Sequence, residues 1–468
     1  MSNRRILELP SYLPAAQAFR RLAGSIKCAF LDSSLANDLG RYSILGMLPY
    51  LKLVKNANEF FVNDRPETKL SFEDYLRRYL AEHVDQNETD LPLVSGAIGY
   101  FSYDYGRKLQ GVPSTQSAYA KIPDAVLTFY DVFLIEDARE QKTYLIANGM
   151  TRPADTCLED LRSLLLKNYP LDQLAVTPSG RKSAAADGNF NDASFPLTVT
   201  PNFEKEDYKR TIDRMIQYII EGDIYIANMT QRLSIACEKQ PLDLFLSLRD
   251  SNPSPFGAYL DYEDFQIVCA SPERFLQMKN GHVQTRPIKG TRKRGETPEE
   301  DLCMRRELEN SEKDKSELLM IVDLERNDLN RVCRPGSVKV TELFTVEEYA
   351  TVFHLVSNIE GDLLPDKTVV DLLEAAFPGG SITGAPKYRA MEIIDELEHG
   401  QRGLYTGSIG YLTLDNCCDF NIVIRTALHQ DGVCHLGVGG GITAESELEF
   451  EYEETLQKAK ALLDAMEQ

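Results

Sequence analysis

Two dipeptides decide much of what this chain can become. Asn280-Gly281 and Asp431-Gly432 each stand between stretches that read as β-strands. A two-residue hairpin turn needs positive φ at both central positions, which Asn-Gly and Asp-Gly tolerate best. Each therefore commits its flanking strands to antiparallel pairing. Residues 25–150 follow the same pattern, with strands expected at 28–31, 42–45, 60–62 and 95–103. A long alternating run at 126–135 is answered by 142–147, and short helices are expected at 71–83 and 154–169. Antiparallel β with flanking helices, an α+β fold, is the inference.

At 468 residues the chain has room for two or three domains, or one large one. The best boundary is 172–200, where Ala, Ser, Asp, Asn, Pro and Gly dominate without periodicity; it reads as a linker or mobile loop. It divides a β-rich region, 1–171, from a second region, 201–468. The second opens with a helix at 204–221 that stops at Gly222, followed by strands near 224–234, 256–260 and 265–269. One long polar helix is expected over much of 298–326, a strand-rich section at 405–442, and a final helix from about 446.

Charge and cysteines narrow the function classes. The formal net charge is −21, from 51 Lys+Arg against 72 Asp+Glu, and no basic patch suits a nucleic acid. An anionic small ligand would need local cations, backbone N–H groups or a metal to offset that field. No apolar run is long enough to cross a bilayer, and the first residues lack the apolar core of a secretory signal. The nine cysteines include no CxxC pair, which fits reduced thiols and a cytoplasmic location.

Several segments could carry chemistry. Asp314 and Glu317 are three apart on one expected helix, and Glu451 and Glu454 are three apart on another. That spacing puts each pair on one helical face, where four carboxylates could hold a hard divalent ion such as Mg²⁺. The plainer reading is a solvated face, since Glu454 and Lys458 also form an i,i+4 pair. The glycine-rich run 377–387 precedes a helix at 390–397, a placement that suits an anion, but it fails the Walker A pattern. A second glycine cluster, 437–441, lies on the return strand of the Asp431-Gly432 hairpin. Ideal register there sets Arg425 opposite Val438, a guanidinium beside bare backbone. His354 sits in an apolar run and reads as a core histidine. Lys289 sits in the basic stretch 287–295 after the Asn280-Gly281 hairpin, beside Gly290 and Thr291. Taken alone it is one more solvated cation.

Taken in order, the segments resemble the chorismate-utilising enzymes, specifically the large components of the anthranilate and aminodeoxychorismate synthases. The resemblance rests on Arg41-Tyr-Ser, Gly96-Ala-Ile-Gly-Tyr-Phe-Ser-Tyr-Asp-Tyr-Gly106, Asn252-Pro-Ser-Pro, Ser271-Pro-Glu-Arg and Pro287-Ile-Lys-Gly-Thr-Arg. It continues through Ile321-Val-Asp-Leu-Glu-Arg-Asn-Asp-Leu, Phe377-Pro-Gly-Gly-Ser-Ile-Thr-Gly-Ala-Pro-Lys, Tyr405-Thr-Gly-Ser-Ile-Gly-Tyr and Ile422-Val-Ile-Arg-Thr. It implies two antiparallel sheets packed as a β-sandwich-like core with surrounding helices. Its two halves would share that core.

The resemblance also implies roles. Glu317 and Glu454 would be direct Mg²⁺ ligands, with Asp314 and Glu451 as outer or water-mediated partners. Tyr405, Arg425, Gly439, Gly440 and Gly441 would cradle the chorismate carboxylates, with Gly290, Thr291 and Ser381 also at the substrate. Glu273 matches a general acid/base beside the ring hydroxyl, and His354 an active-site histidine. Within this family, anthranilate synthases typically carry alanine where this chain has Lys289, and many aminodeoxychorismate synthases carry lysine. The implied reaction is therefore amination of chorismate, with Lys289 as a nucleophile that must arrive unprotonated; anthranilate synthesis, or a dual-purpose enzyme, is the alternative. In ideal register Glu273 pairs with Ile288, which would turn Lys289 to the opposite sheet face. Ile226 stands where water-adding relatives have lysine and amino-transferring ones often have glutamine, which counts against isochorismate or salicylate synthesis. No cysteine sits in a glutaminase elbow, so ammonia would come from a separate glutamine amidotransferase subunit. Anthranilate synthases bind tryptophan in their N-terminal region. The matching positions here are Ser33, Asn252, Pro253 and Ser254, with Asp32 in place of a glutamate.

Overall fold

The structure is a computed structural model that describes residues 3–35, 37, 39–166, 197–349 and 352–467. Its centre is a long antiparallel ribbon. The strands Tyr42–Asn56 and Ala125–Asp137 pair almost end to end, with Tyr42 opposite Asp137 and Lys55 opposite Ala125. Ala125–Asp137 is buried on both faces, which is why its sequence is so apolar. Its other edge is divided: Gly96–Phe101 takes the first half and Lys142–Ala147 the second.

Two arms of sheet leave this ribbon. One runs through Cys28–Asp32, Phe256–Asp261, Gln266–Ser271, Thr426–Gln430 and Val433–Ile442 to Ile226–Ala236. The other runs through Gly96–Phe101, Ser408–Thr413, Cys418–Asn421, Arg274–Lys279 and His282–Arg286 to Val352–Asp362. Ile288–Lys293 pairs with this last strand as well. The expected pair of separate sheets is thus one hydrogen-bonded network of 22 strands, because the ribbon belongs to both arms. The result is a mixed α/β fold around a large antiparallel sheet.

Each arm starts with a strand from before residue 166 and continues with strands from after 197, so the two regions do not fold around separate sheets. Most of the expected linker lies outside the described residues. Its last positions contribute to a strand, Val199–Pro201, laid against Ile226–Ala236. Both hairpin turns form as their dipeptides require. Asn280 and Gly281 have φ of 54° and 76°, and Asp431 and Gly432 have 52° and 76°. The polar segment expected as one helix is two, Pro298–Glu309 and Glu312–Asn330. The break falls at Ser311, whose hydroxyl accepts from the Asp314 N–H and so starts a new helix.

The loop before the helix Lys387–Leu397 is fixed by two buried cations. Lys387 belongs to the helix itself, and its Nζ lies 2.5 Å from Asp328 Oδ2 while donating to the carbonyls of Ala376 and Pro378, each at 2.7 Å. The Lys387 ammonium is thereby committed to internal acceptors. Arg402 pairs with Glu398 and donates to the carbonyls of Ile382 at 2.7 Å and Asn228 at 2.5 Å. Removing one member of a buried pair strands the other charge. Lys387→Ala is expected to cost about 3–5 kcal/mol in urea unfolding. A Lys387→Met, Asp328→Leu double variant should recover part of that loss.

Candidate active site

The site grows from a floor without side chains. Asn228, Met229 and Thr230 on one strand pair with Gly441, Gly440 and Gly439 on the next. A Cβ on Gly440 would fall 2.8 Å from Glu454 Oε2 and 3.1 Å from Glu451 Oε2. One on Gly441 would fall 3.3 Å from Lys289 Nζ and 3.4 Å from Glu317 Oε2. At Gly439 the constraint is backbone packing, since a Cβ would lie 2.4 Å from the Met229 carbonyl. Acidic side chains from two helices thus meet over bare backbone, as their i,i+3 spacing allows.

Ammonium groups stand among these acids. Lys313 Nζ lies 3.4 Å from Glu451 Oε1 and 4.0 Å from Glu317 Oε1. Lys458 Nζ lies 3.3 Å from Glu454 and donates to the Gly439 carbonyl at 2.8 Å. Burial pushes the Glu317 carboxyl up to about 7, while Lys289 and Lys313 pull it down. Burial likewise raises Glu451, against a hydrogen bond from the Ser446 hydroxyl at 2.7 Å. Asp314 is turned elsewhere. Its Oδ2 accepts from Arg292 at 3.1 Å, and its Cγ would lie 2.9 Å from a Cβ on Gly290. Among the described residues, no three His, Cys, Asp or Glu side chains form a ready-made metal cage. Glu317, Glu451 and Glu454 nonetheless offer the oxygen-only donors that suit a hard divalent ion retaining several waters.

Lys289 and Glu273 converge on Ser381, contrary to ideal register. The cause is a one-residue slip of the hairpin between Arg274 and Gln277, which sets Arg274 opposite Arg286. Glu273 thereby moves from Ile288 to Pro287, two residues from Lys289. The strand Ile288–Lys293 carries a bulge between Lys289 and Thr291, where Gly290 takes φ of +73°. Glu273 lies just before Arg274–Lys279, in the corner after Ser271-Pro272, and its carboxyl accepts the Ile288 N–H. Lys289 Nζ donates to the Ser381 carbonyl at 3.1 Å. The Ser381 hydroxyl is buried without a well-formed hydrogen bond, and it faces Glu273 closely enough to favour the ionised carboxylate. Burial outweighs that help and raises the Glu273 pKa, with Ser381, Lys289 and Lys458 opposing. An amine and an acid with a raised pKa thus converge on the turn that carries Ser381.

The remaining predicted residues fall around this pair. His354 is 2% exposed, 2.9 Å from the Thr291 hydroxyl through Nδ1 and edge-on to Tyr349. Burial pushes it down to about 3, with Arg425 adding to the effect. Arg425 has φ of 49° and precedes the strand Thr426–Gln430, whose pairing begins with Ala427 opposite Leu436. The expected alignment of Arg425 with Val438 is therefore absent. Its half-buried guanidinium has its pKa lowered by loss of solvent. A charge so placed is a natural receiver for a ligand carboxylate. Tyr405 lies over Gly437, where a Cβ would come within 2.0 Å of its ring. Ile226 brings Cδ1 to 3.5 Å from the Cβ position of Gly441, beside Lys289.

A second cavity, of about 410 Å³, opens away from this centre. Ser33 lines it with Leu31, Asp32, Arg41, Phe256 and Arg274. Of the other positions expected there, Asn252, Pro253 and Ser254 lie behind the wall, where Ser254 exchanges hydrogen bonds with Ser34. Burial pushes Asp32 up to about 6 against its ion pair with Arg249 at 3.0 Å.

Sequence reading missed Lys313, Lys387 and Arg402. Lys313 and Glu317 carry the i,i+4 signal of an exposed pair, and only tertiary packing sets Lys313 beside Glu451.

Comparison with known proteins adds a frame. Residues 33–464 match the model of a family described as chorismate binding enzyme. The chain is 37% identical over 462 residues to the aminodeoxychorismate synthase component 1 of Bacillus subtilis, covering 96% of this chain and 94% of that protein. It is 36% identical over 461 residues to the anthranilate synthase component 1 of Acetivibrio thermocellus, covering 96% and 92%. The crystal structure of anthranilate synthase component I from Streptococcus pneumoniae superposes with a TM-score of 0.77 at 30% identity, covering 98% and 99%.

His354 supplies a test of the site's dryness. Its folded form binds no proton until about pH 3, whereas the unfolded chain takes one near 6.5. Stability contributed by the neutral ring is thus present above 6.5 and drains as pH falls toward 3. NMR of the imidazole should show no titration between about pH 8 and about pH 5. A midpoint near 6.5 would contradict this burial.

Proposed function

The chain belongs to the chorismate-binding enzyme family, and we propose that it converts chorismate and ammonia to 4-amino-4-deoxychorismate. The observation that carries this reading is Lys289, whose amine lies between the Ser381 carbonyl and the Glu317 side of the glycine floor. The amine forms a bond to the ring as the hydroxyl leaves, and Glu273 gives the departing oxygen its proton, so water is released. Ammonia then bonds at the carbon that bore the hydroxyl, the lysine–ring bond breaks, and one ammonia proton returns to the site's bases. Arg425 and the backbone of Gly439, Gly440 and Gly441 receive the substrate carboxylates, with Tyr405 closing one side. Thr291 orients the neutral His354.

Glu317 and Glu454 would hold Mg²⁺ directly and Glu451 through water; Asp314, tied to Arg292, is a weaker candidate. When bound, the ion supplies positive charge against the substrate carboxylate in an acidic protein. Ammonia comes from a separate glutamine amidotransferase subunit, a reading supported by the "component 1" names of the relatives. A cytoplasmic site of action fits, and among the described residues no helix is long and apolar enough to cross a membrane. The two arms serve as the layers of a sandwich, supported by an apolar cluster that draws Ile98, Tyr100 and Ile409 from one and Ala258, Ile267 and Leu428 from the other. The 410 Å³ cavity is the counterpart of the tryptophan pocket, supported by Ser33 in its wall.

Anthranilate synthesis is the second reading, favoured by relatives of that name at similar identity. Incubation with chorismate, magnesium and an ammonium salt separates the two. Aminodeoxychorismate, releasing pyruvate only after a lyase is added, is expected; fluorescent anthranilate with direct pyruvate release would overturn the proposal. Glu273→Gln should lower kcat by about 10²–10⁴-fold, and Lys289→Ala should abolish most turnover. An active Lys289→Ala enzyme would remove the lysine from the mechanism while leaving the product assignment to stand.

A further inference from the structure

The helix Glu312–Asn330 places a third acid, Glu325, behind the turn that carries Ser381. Glu325 is buried, and its Oε2 lies 2.9 Å from Thr285 Oγ1. Thr285 Oγ1 also lies 2.6 Å from the Phe275 carbonyl, two residues from Glu273. Its single proton can go there when the Glu325 carboxyl is itself protonated and donates to Thr285 Oγ1. On the other side, a Cβ on Gly380 would lie 3.1 Å from Glu325 Cγ and 3.4 Å from Oε1. Gly380 therefore has no room for a side chain, and the Glu325 carboxyl is the surface on which the Gly380–Ser381 turn rests. Ser381 in turn meets Lys289 through its carbonyl and Glu273 through its hydroxyl. One turn further along the same helix, Asp328 is the buried partner of Lys387.

We propose that Glu325 is a positioning residue: as a neutral carboxylic acid it joins Thr285 to the Gly380–Ser381 turn and so sets where Lys289 and Glu273 point. The inference rests on the amination reading for its kinetic consequence, though not for its structural one. The charged groups facing Glu325 are Glu273 from the strand corner, Asp328 from its own helix and Lys387 from the next helix. Burial, reinforced by the two acids and opposed by Thr285 and Lys387, pushes its carboxyl up to about 8. Ionisation above that pH would set a second negative charge beside Glu273 and drive the turn off its support. For stability the sign is fixed: the unfolded chain loses this proton near 4.3 and the folded one near 8, so stability drains across that interval and then levels.

The test compares Glu325→Ala and Glu325→Gln in the full chain. Amide exchange of the peptide spanning 377–385 should quicken about tenfold or more in Glu325→Ala, and stay near wild type in Glu325→Gln, which keeps the shape and neutrality. Under the amination assay, Glu325→Ala should lose kcat, and Glu325→Gln should retain it and also keep the activity that wild type loses above about pH 8. Unchanged exchange in Glu325→Ala, or a Glu325→Gln variant no better than it, would overturn the proposal. If no variant, wild type included, makes product while the exchange pattern holds, the positioning role stands and the amination reading falls. If both activity profiles superimpose on wild type, the neutral-acid role is refuted.

Discussion

Two buried cations grip the carbonyls of one loop, and the candidate site depends on that grip. Lys387 holds Ala376 and Pro378 from one end, and Arg402 holds Ile382 from the other. Between them the chain makes a tight turn whose Ser381 faces both Lys289 and Glu273. Each cation is kept buried by a matched acid, Asp328 or Glu398, because an unpaired charge at that depth would be expensive. Arg402 also donates to Asn228, on the strand that pairs with Gly441. Floor, turn and reactive amine are thereby held in one rigid frame, on elements rather than on a free loop.

The site solves the problem set by a net charge of −21 locally. Lysines 289, 313 and 458 stand among three glutamates, so the acids are neutralised at close range by groups that a substrate or cation can displace. Arg425 adds a guanidinium with little competing acid nearby. An anion entering here meets acids already offset by neighbouring ammonium groups rather than the bare negative charge of the whole molecule.

Much of this was legible in the chain. The Asn-Gly and Asp-Gly turns dictated antiparallel hairpins, and i,i+3 spacing put Glu317, Glu451 and Glu454 on helix faces that do converge. The resemblance brought Lys289, Glu273 and Ser381 together on three separate motifs of the chain. What failed had local causes. The Asn280-Gly281 hairpin slips by one residue between Arg274 and Gln277, a shift that ideal register cannot anticipate, and this reverses the facing expected for Lys289. Ser311 divides a helix that composition made continuous. Arg425 sits outside its strand in a left-handed conformation, so pairing arithmetic misplaced it. Asp314 is drawn to Arg292, a tertiary partner invisible to spacing. The 22 strands form one network because a single ribbon is long enough to serve both arms, a fact of length rather than of pattern.

The glycine floor has a further consequence for how such a site can diverge. Side chains can shift rotamers to suit a new molecule, but backbone held by ten successive residue pairs between two strands cannot. At Gly439, Gly440 and Gly441 almost any replacement meets atoms already in place. Inherited change is therefore channelled to the walls, where residues such as Lys289 and Ile226 can vary without disturbing the enclosed shape. A lineage built on this floor is free to exchange its chemistry while keeping hold of the same molecular outline.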